Sequence, residues 1–266
     1  MRSNNLLRRT LLLAALSSTF FAAQADTLDN IKAAKKIRVS IDLAVPPSGM
    51  TDANMKPTGS DYDVAVLLAK DLGVALEVVP TVGATRIPNL QTGKADLIIS
   101  TLAWTPERAK VIDYSVPYAP QISLVGGIKS LNVKSMADLA GKSVAVNRST
   151  TQDTDLTQNA KGATVVRYDD DAGVITAVVT GQADLVGTSN ALFQTMVQKA
   201  PNRQLEQKFV LRVNDLGIGV RKDDPTLLAW VNEWVKANHA NGKLNEIFKK
   251  YHGTDIPKDV VEKWVK

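Results

Sequence analysis

The segment Ser100–Arg108, with the sequence STLAWTPER, has the residue types of a binding site for a small carboxylate. It opens with two hydroxyl side chains, Ser100 and Thr101, and the pair Thr105-Pro106 suits the first turn of a short helix. Arg108 follows within that turn, and its planar guanidinium can hold a carboxylate through two parallel hydrogen bonds. The alternative is a solvated Arg on the surface of a helix. We expect Arg108 to bind a ligand carboxylate.

Other short polar side chains stand where predicted strands end. Thr150 and Thr151 begin a predicted helix, whose free backbone N–H groups favour a bound anion, although a hydroxyl there also caps a helix by itself. Asp42 ends the first predicted strand. Arg86 follows another strand end, and it either recognises a second acidic group or pairs with Asp42. Trp104 either covers a ligand or belongs to a hinge contact.

The motifs of common enzyme classes are absent from the sequence. There is no cysteine, no HExxH and no GxSxG, and His239 and His252 lack the spacing of metal ligands. Gly141-Lys142-Ser143 resembles the end of a P-loop, but Met136 stands where the first glycine is needed. The acidic run Asp169–Asp171 precedes a predicted helix and is expected to form a loop and helix cap. We therefore predict a binding protein without catalytic residues, metal or cofactor.

An alternation of predicted strands and helices positions these side chains. The first set comprises the strands Lys36–Asp42, Val74–Val79 and Ala95–Ile99 and the helices Asp61–Leu72 and Thr85–Thr92. The second set comprises the strands Ser143–Asn147, Thr164–Tyr168 and Ala183–Gly187 and the helices Thr151–Asn159 and Ala172–Thr180. This order predicts two α/β lobes, each with a mostly parallel sheet flanked by helices. Ligands bind beyond the carboxyl ends of strands in such sheets.

The two sets share a short repeat. Thr92–Leu97 (TGKADL) recurs as Thr180–Leu185 (TGQADL) at the same place in the order of elements, and hydroxyl side chains follow each copy. The match indicates two structurally similar lobes.

The C-terminal part of the chain is predicted to return to the first lobe. It contains a strand at Leu216–Lys222 and helices at Pro225–Asn238 and Lys243–Tyr251, too many elements for the second lobe alone. Crossovers are expected near Pro117–Ser123 and Phe209–Leu216, and two such connections permit hinge closure. The predicted division is 26–118 for the first part of lobe 1, 119–213 for lobe 2 and 214–266 for the return to lobe 1.

Residues 1–25 have the three parts of a secretory signal peptide. Arginines at the start are followed by the apolar run Leu11–Ala15 and by small residues in Ala23-Gln24-Ala25. We expect cleavage after Ala25 and export to the periplasm; the alternative is an uncleaved anchor. No later segment approaches the apolar length of a membrane span.

The composition of the remaining chain narrows its partners. Without the leader there are 29 basic and 27 acidic residues, a formal net charge of +2. No basic block with interleaved aromatic residues is present, so nucleic acid is not an expected partner. With no cysteine, the exported protein is held by its core alone, and we expect a monomer.

Several stretches carry a family resemblance that covers nearly all of the chain after the leader. They are KIRVSIDLAVPP, GSDYDVAVLLAKDLGV, RIPNLQTGKADLIISTLAWTPERAKVIDYSVPY, MADLAGKSVAVNRSTTQ, TGQADLVG and GIGVRKDDP. In these stretches the chain resembles the polar amino-acid solute-binding proteins of ABC importers, the family 3 type with the type II periplasmic-binding-protein fold. The resemblance implies an amino-acid ligand and an ABC permease as partners.

The resemblance also implies roles for individual residues. Arg108 would bind the α-carboxylate of the ligand. The residues that would assist Arg108 are Ser100 or Thr101, the backbone around Leu102 and Ala103, and Thr151. Asp42 and Arg86 fall where family members contact the ligand side chain; an acid at the first position fits basic ligands, and Arg at the second fits acidic ones. The pair therefore leaves the ligand class open.

The chain departs from the family pattern at three places. Val45 and Gly83 stand where many members have an aromatic residue. Ser189, followed by Asn190, stands where many have the Asp that holds the ligand ammonium. The ammonium would then be held by neutral acceptors and Asp42, or the ligand is not a standard α-amino acid.

Two other functions compete with transport. A dehydratase for an amino-acid-like acid would use the same scaffold, but it needs a general acid in the cleft and Ser189-Asn190 supplies none. A sensory ectodomain would need a membrane span and a signalling domain, and neither is evident.

Overall fold

The computed structural model describes residues 27–265, so the predicted leader and its cleavage site lie outside the described residues. No helix in 27–265 is long and apolar enough to cross a membrane. In chain order the strands are β1 (Lys36–Ile41), β2 (Met50–Thr51), β3 (Pro57–Thr58), β4 (Ala75–Pro80), β5 (Leu97–Ile98), β6 (Ile112–Tyr114), β7 (Ala119–Ile128), β8 (Ser143–Asn147), β9 (Thr164–Tyr168), β10 (Leu185–Ser189), β11 (Leu205–Leu216) and β12 (Gly219–Arg221). The helices are α1 (Thr27–Ala34), α2 (Ser60–Leu72), α3 (Arg86–Gln91), α4 (Pro106–Ala109), α5 (Thr151–Asn159), α6 (Asp171–Thr180), α7 (Asn190–Lys199), α8 (Pro225–Ala240), α9 (Lys243–His252) and α10 (Lys258–Val265).

Two five-stranded sheets organise these elements into two lobes. The first sheet has the order β4-β1-β5-β12-β6, with β1 parallel to β4 and β5 and with β12 antiparallel to β5 and β6. The second has the order β11-β7-β10-β8-β9, with β8 parallel to β9 and β10 and with β7 antiparallel to β10 and β11. This is the predicted α/β architecture, with antiparallel strands added by the crossovers.

The return of the chain completes the first lobe, as predicted. Buried side chains of β1, such as Ile37 and Val39, share one hydrophobic core with Leu68 of α2 and with Val231 and Trp234 of the return helix α8. Burial of such side chains is the main favourable term in folding. The first lobe is therefore built from two distant segments of the sequence.

The end of α2 shows how local sequence sets an element boundary. Gly73 follows the last helical residue with φ 74°, in the left-handed region that glycine adopts at little cost. Its N–H donates to the carbonyl of Lys70 over 3.1 Å. The predicted helix stop at this glycine is confirmed.

The crossovers differ from the prediction in being long strands. β7 and β11 pair antiparallel from Leu205 with Ile128 to Leu216 with Ala119. Because β11 continues to Leu216, the second sheet extends past the predicted boundary at 213, and the single strand predicted at Leu216–Lys222 is interrupted before β12. The chain changes sheets between β6 and β7 and again between β11 and β12.

Helix α7 was not predicted. It begins at Asn190, directly after β10 ends at Ser189, so no loop residue marks the change of structure. Its side chains Phe193 and Met196 lie in the core of the second lobe with Leu124 of β7.

Candidate functional site

A polar cleft lies between the two lobes at the carboxyl ends of parallel strands. Seven of the ten predicted site residues line it. From the first lobe come Asp42, Arg86, Thr101 and Arg108. From the second lobe come Thr150, Thr151 and Ser189. An edge where strand ends of both lobes meet is the place at which an α/β protein of this kind can hold a small ligand.

Three predicted residues do not line the cleft. Leu102 is fully buried in a hydrophobic cluster of the first lobe, because its side chain points to the core while the neighbouring Ala103 faces the cleft. Trp104 is 54% exposed, and its backbone N–H donates to the carbonyl of Asp215 on β11 over 3.3 Å. Ser100 is buried and supports two cleft residues instead of facing a ligand itself.

The Ser100 contacts hold Asp42 and Arg86 in place. The Asp42 N–H donates to Ser100 Oγ over 3.0 Å, and Arg86 Nη1 donates to the Ser100 carbonyl over 2.6 Å. A strand-end hydroxyl and its carbonyl thereby fix two residues of opposite charge at the floor of the cleft.

Arg108 connects the two lobes. Its Nη1 donates to the carbonyl of Ala103 over 2.9 Å, and its Nη2 donates across the cleft to the carbonyl of Ser149 over 2.9 Å. Burial and, to a smaller extent, the nearby charge of Arg86 lower the pKa of Arg108 to about 10. No acidic side chain in residues 27–265 forms an ion pair with it. These contacts do not fit a solvated surface Arg.

Arg86 is a second cation in the cleft without an acidic partner. It is 5% exposed, its Nε is buried without a hydrogen bond, and it forms no ion pair with Asp42 within 4.0 Å in the described part of the chain. Asp42 Oδ1 accepts the N–H of Ala44 over 3.0 Å. Burial raises the pKa of Asp42, against the hydrogen bond from Ala44 and the attraction of Arg86. The two charges interact without direct pairing.

Thr101 lies in the cleft in a strained backbone conformation. Its φ is 43°, in the left-handed region that β-branched residues rarely adopt. Its N–H donates to Oδ2 of the buried Asp61 over 2.8 Å, and Tyr118 Oη donates to Asp61 Oδ1 over 2.8 Å. Asp61 therefore holds the cleft loop and connects it to the start of the first crossover. Asp61 was not predicted as a site residue, because in the sequence it has the pattern of an ordinary position of α2.

The second lobe presents the start of α5 to the cleft. Thr150 is the N-cap, and its Oγ1 accepts the N–H of Asp153 over 3.2 Å. The helix begins at Thr151, which also lines the cleft. Thr150 therefore both caps the helix, as predicted, and lines the cleft. Ser189 caps α7 in the same way, since its Oγ accepts the N–H of Leu192 over 3.3 Å.

Asp171 was missed as a cleft residue. Within the acidic run the cap of α6 is Asp170, whose Oδ1 accepts the N–H of Gly173 over 2.7 Å. Asp171, the next residue, lines the cleft, and its Oδ2 accepts a hydrogen bond from Asn147 Nδ2 over 2.7 Å. The expectation of a loop and cap with acids at the start of the helix holds for Asp171, but its position in the cleft was not predicted. The sequence offered one signal for a second role of the run, since a helix needs only one capping acid and three stand here.

Comparison with protein families decides the class of this cleft. The family model described as bacterial extracellular solute-binding proteins, family 3, matches residues 37–254. The chain belongs to this family. The match extends from β1 to the end of α9, so it includes both lobes and every residue of the cleft.

Individual family 3 proteins are similar over most of their length. The L-cystine-binding protein TcyJ of Escherichia coli (strain K12) is 27% identical over 254 residues, covering 93% of this chain and 93% of the relative. A mutant of ArgBP from T. maritima has a TM-score of 0.80 at 32% identity, covering 86% of this chain and all of the other. The ancestral amino-acid-binding protein AncCDT-1, described as a precursor of cyclohexadienyl dehydratase, has a TM-score of 0.78 at 34% identity, covering 85% and 99%. The fold is the type II periplasmic-binding-protein fold.

Gly83 gives a structural reason for one departure from the family pattern. A Cβ at Gly83 would lie 2.9 Å from the carbonyl oxygen of Arg148 in the second lobe. In this family 3 protein the two lobes approach each other closely at this point, and a larger side chain would hold them apart. Val45, another of the three predicted departures, lines the cleft.

Proposed function

We propose that this chain is the periplasmic substrate-binding component of an ABC importer and that it binds a small polar amino acid in the cleft between its lobes. The observation that carries the proposal is Arg108, a cleft guanidinium that reaches both lobes and has no acidic partner among the described residues. A cation in this position needs an anion, and a ligand carboxylate supplies one.

The carboxylate is held from two sides. Arg108 provides a planar fork that can replace its present hydrogen bonds to carbonyl oxygens. Opposite it, the first turn of α5 at Thr150 and Thr151 offers backbone N–H groups and the positive end of the helix dipole. Because these groups belong to different lobes, the carboxylate is bound completely only when the lobes come together.

Transport follows from this difference between open and closed forms. A ligand that gains contacts from both lobes shifts the population toward the closed form. The closed form then docks on the permease and releases the amino acid into it. The chain is exported to the periplasm for this role and acts as a monomer.

The relatives support the ligand class. One is named as an L-cystine-binding protein and another as an arginine-binding protein, and both match nearly the whole folded chain. Transferred to this protein, the shared feature is an amino-acid ligand. The identity of its side chain depends on Asp42, Arg86 and the other residues at that end of the cleft.

A thermal-shift screen of the protein without its leader tests the proposal. The twenty L-amino acids, L-cystine and small organic acids are added one at a time at neutral pH. We expect at least one amino acid to raise the melting temperature, since a ligand that binds only the native state stabilises it. If no amino acid does so and an organic acid or another solute does, the proposed ligand class is wrong.

The dehydratase function has two observations in its favour. AncCDT-1 is described as a precursor of a dehydratase, and Asp171 places a carboxyl group in the cleft. AncCDT-1 is itself described as an amino-acid-binding protein, which favours binding. Mass spectrometry of each bound amino acid after long incubation separates the two functions. We expect unchanged ligand; a product lighter by one water molecule would establish the enzyme.

A further inference from the structure

We infer that Asp171 is a specificity-determining residue that binds the α-ammonium group of the ligand. The inference deepens the proposed function and rests on it. It answers the question raised by Ser189, which stands where a carboxylate for the ammonium was expected.

Ser189 is poorly suited to bind a cation. Its side chain is neutral, and its Oγ already accepts the N–H of Leu192 as the cap of α7. Asp42 belongs to the same lobe as Arg108, and Arg86, which Ser100 holds beside it, offsets part of its charge. A carboxylate acceptor on the second lobe has to come from another element of the cleft.

Asp171 meets this requirement by its position. It is the first residue of α6, its side chain is partly accessible from the cleft, and Oδ2 is fixed by the hydrogen bond from Asn147 Nδ2. Within residues 27–265 no hydrogen bond or ion pair engages the other carboxylate oxygen. Asn147 thus orients the group while one oxygen remains available to a ligand.

The charges around Asp171 do not balance it. Asp42, at the end of β1, and Asp170, the cap of α6, are negative, and Asn147 on β8 is neutral. Arg86 on α3 is the positive group nearby, and it lies beyond ion-pairing distance. Burial, with the charges of the two acids, raises the pKa of Asp171 to about 7, against the hydrogen bond from Asn147 and the attraction of Arg86. A ligand cation at the free oxygen would relieve this excess of negative charge.

The placement of opposite charges also explains closure. Arg108 belongs to the first lobe and Asp171 to the second. A zwitterion with its carboxylate at Arg108 and its cationic group at Asp171 is attracted to both lobes at once. The ligand makes both contacts at once only when the lobes close.

Calorimetric titration of the wild type, Asp171→Asn and Asp169→Asn tests the inference. Asp169 is the matched control, because its side chain is 88% exposed and pairs only with Arg148. The probes are the amino acid that gives the largest shift in the screen and the same acid without its amino group; for L-arginine this is 5-guanidinopentanoic acid. A charge-assisted hydrogen bond is worth about 1.5–3 kcal/mol, so Asp171→Asn should weaken amino-acid binding about 10- to 150-fold. Asp169→Asn should bind like the wild type.

The desamino acid and the pH profile separate direct contact from a structural effect. If Asp171 binds the amino group, the desamino acid should bind the wild type and Asp171→Asn within about threefold of each other. Wild-type affinity for the amino acid should fall as pH decreases below about 7, where Asp171 becomes protonated, and this part of the profile should be absent in Asp171→Asn.

Two results would overturn the inference. In the first, the affinity of Asp171→Asn for the amino acid is within threefold of the wild-type affinity. In the second, Asp171→Asn loses affinity equally for the amino acid and for the desamino acid while its melting temperature is unchanged. If no amino acid binds the wild type at all, the proposed function fails first and this inference fails with it, so the two failures are distinguishable.

Discussion

At the scale of single residues, Arg108 is the clearest sign of an anion-binding role. Its guanidinium donates to the neutral carbonyl oxygens of Ala103 and Ser149, one in each lobe. A carboxylate is a stronger partner than a carbonyl, because it carries a full negative charge and can accept two parallel hydrogen bonds from the guanidinium fork. Arg108 is therefore oriented for an anion before the anion arrives.

Replacing Arg108 should cost more affinity than removing a surface charge. Truncating one partner of a buried charge pair costs about 2–5 kcal/mol, so Arg108→Ala should weaken amino-acid binding about 30-fold to several thousandfold. Arg108→Lys should keep only part of the wild-type affinity, since Lys has no planar fork. Isothermal titration calorimetry measures both variants. Arg108→Ala binding within about threefold of the wild type, while folded, would show that the carboxylate binds elsewhere.

Asp61 gives a stability prediction with a defined sign. Burial raises its pKa from 3.8 to about 6, although the hydrogen bonds from Tyr118 and Thr101 oppose the change. The folded state then holds a proton that the unfolded state has lost, so stability falls as pH rises from about 4 to about 6. In Asp61→Asn the amide can keep both hydrogen bonds, because the Tyr118 hydroxyl can also accept one.

Relative to the wild type, Asp61→Asn should therefore gain up to about 3 kcal/mol of unfolding free energy between pH 4 and pH 7.5. Urea denaturation at the two pH values measures the difference, and Glu262→Gln on the exposed face of α10 serves as the control. If the unfolding free energies of wild type and variant differ by the same amount at both pH values, the assigned role of the Asp61 charge is wrong.

At the scale of elements, the sequence predicts the site where local pattern determines position. Asp42, Thr101 and Thr151 follow or begin clear strands and helices, so their placement at one edge follows from the α/β order. Asp171 could not be placed in this way, because a cap and a cleft residue have the same local sequence. Only the packing of α6 beside Asn147 and opposite the first lobe brings it into the cleft.

The crossovers illustrate the same limit. Their existence follows from counting elements, but their antiparallel pairing over the length of β7 and β11 depends on contacts between segments far apart in the sequence. Helix α7 was missed for a local reason, since a strand, a cap and a helix follow one another at Ser189 without a turn.

The loop before α3 contacts the second lobe at Gly83, so a larger residue at this position should impair closure. A methyl group at Gly83 would meet the Arg148 carbonyl at 2.9 Å, and overpacking of this kind typically costs about 1–3 kcal/mol. Gly83→Ala should weaken ligand binding about 5- to 150-fold, because only the closed form is affected.

Titration calorimetry measures that loss, and urea denaturation of the unliganded variant is the control. The stability of the free protein should be nearly unchanged, since each lobe keeps its own core. Wild-type affinity in Gly83→Ala would mean that the lobes are farther apart in the ligand-bound protein.

At the scale of the whole molecule, the two crossover strands are joined by hydrogen bonds to a helix that lines the cleft. Ser123 Oγ on β7 accepts hydrogen bonds from Asn214 Nδ2 on β11 over 2.8 Å and from Gln152 Nε2 on α5 over 2.9 Å. The two crossover strands and the helix that faces the ligand therefore move as one unit. We expect rotation at the short segments where the chain changes sheets, so that the lobes close without refolding.

Small-angle X-ray scattering tests the central claim most directly, that an amino acid bound by both lobes closes this molecule. The wild type and Arg108→Ala are measured without ligand and with the amino acid identified by the screen, at concentrations that saturate each protein by calorimetry. We expect the radius of gyration of the wild type to decrease on binding and that of Arg108→Ala to decrease less. An unchanged radius in the saturated wild type, or equal compaction of both proteins, would contradict the account.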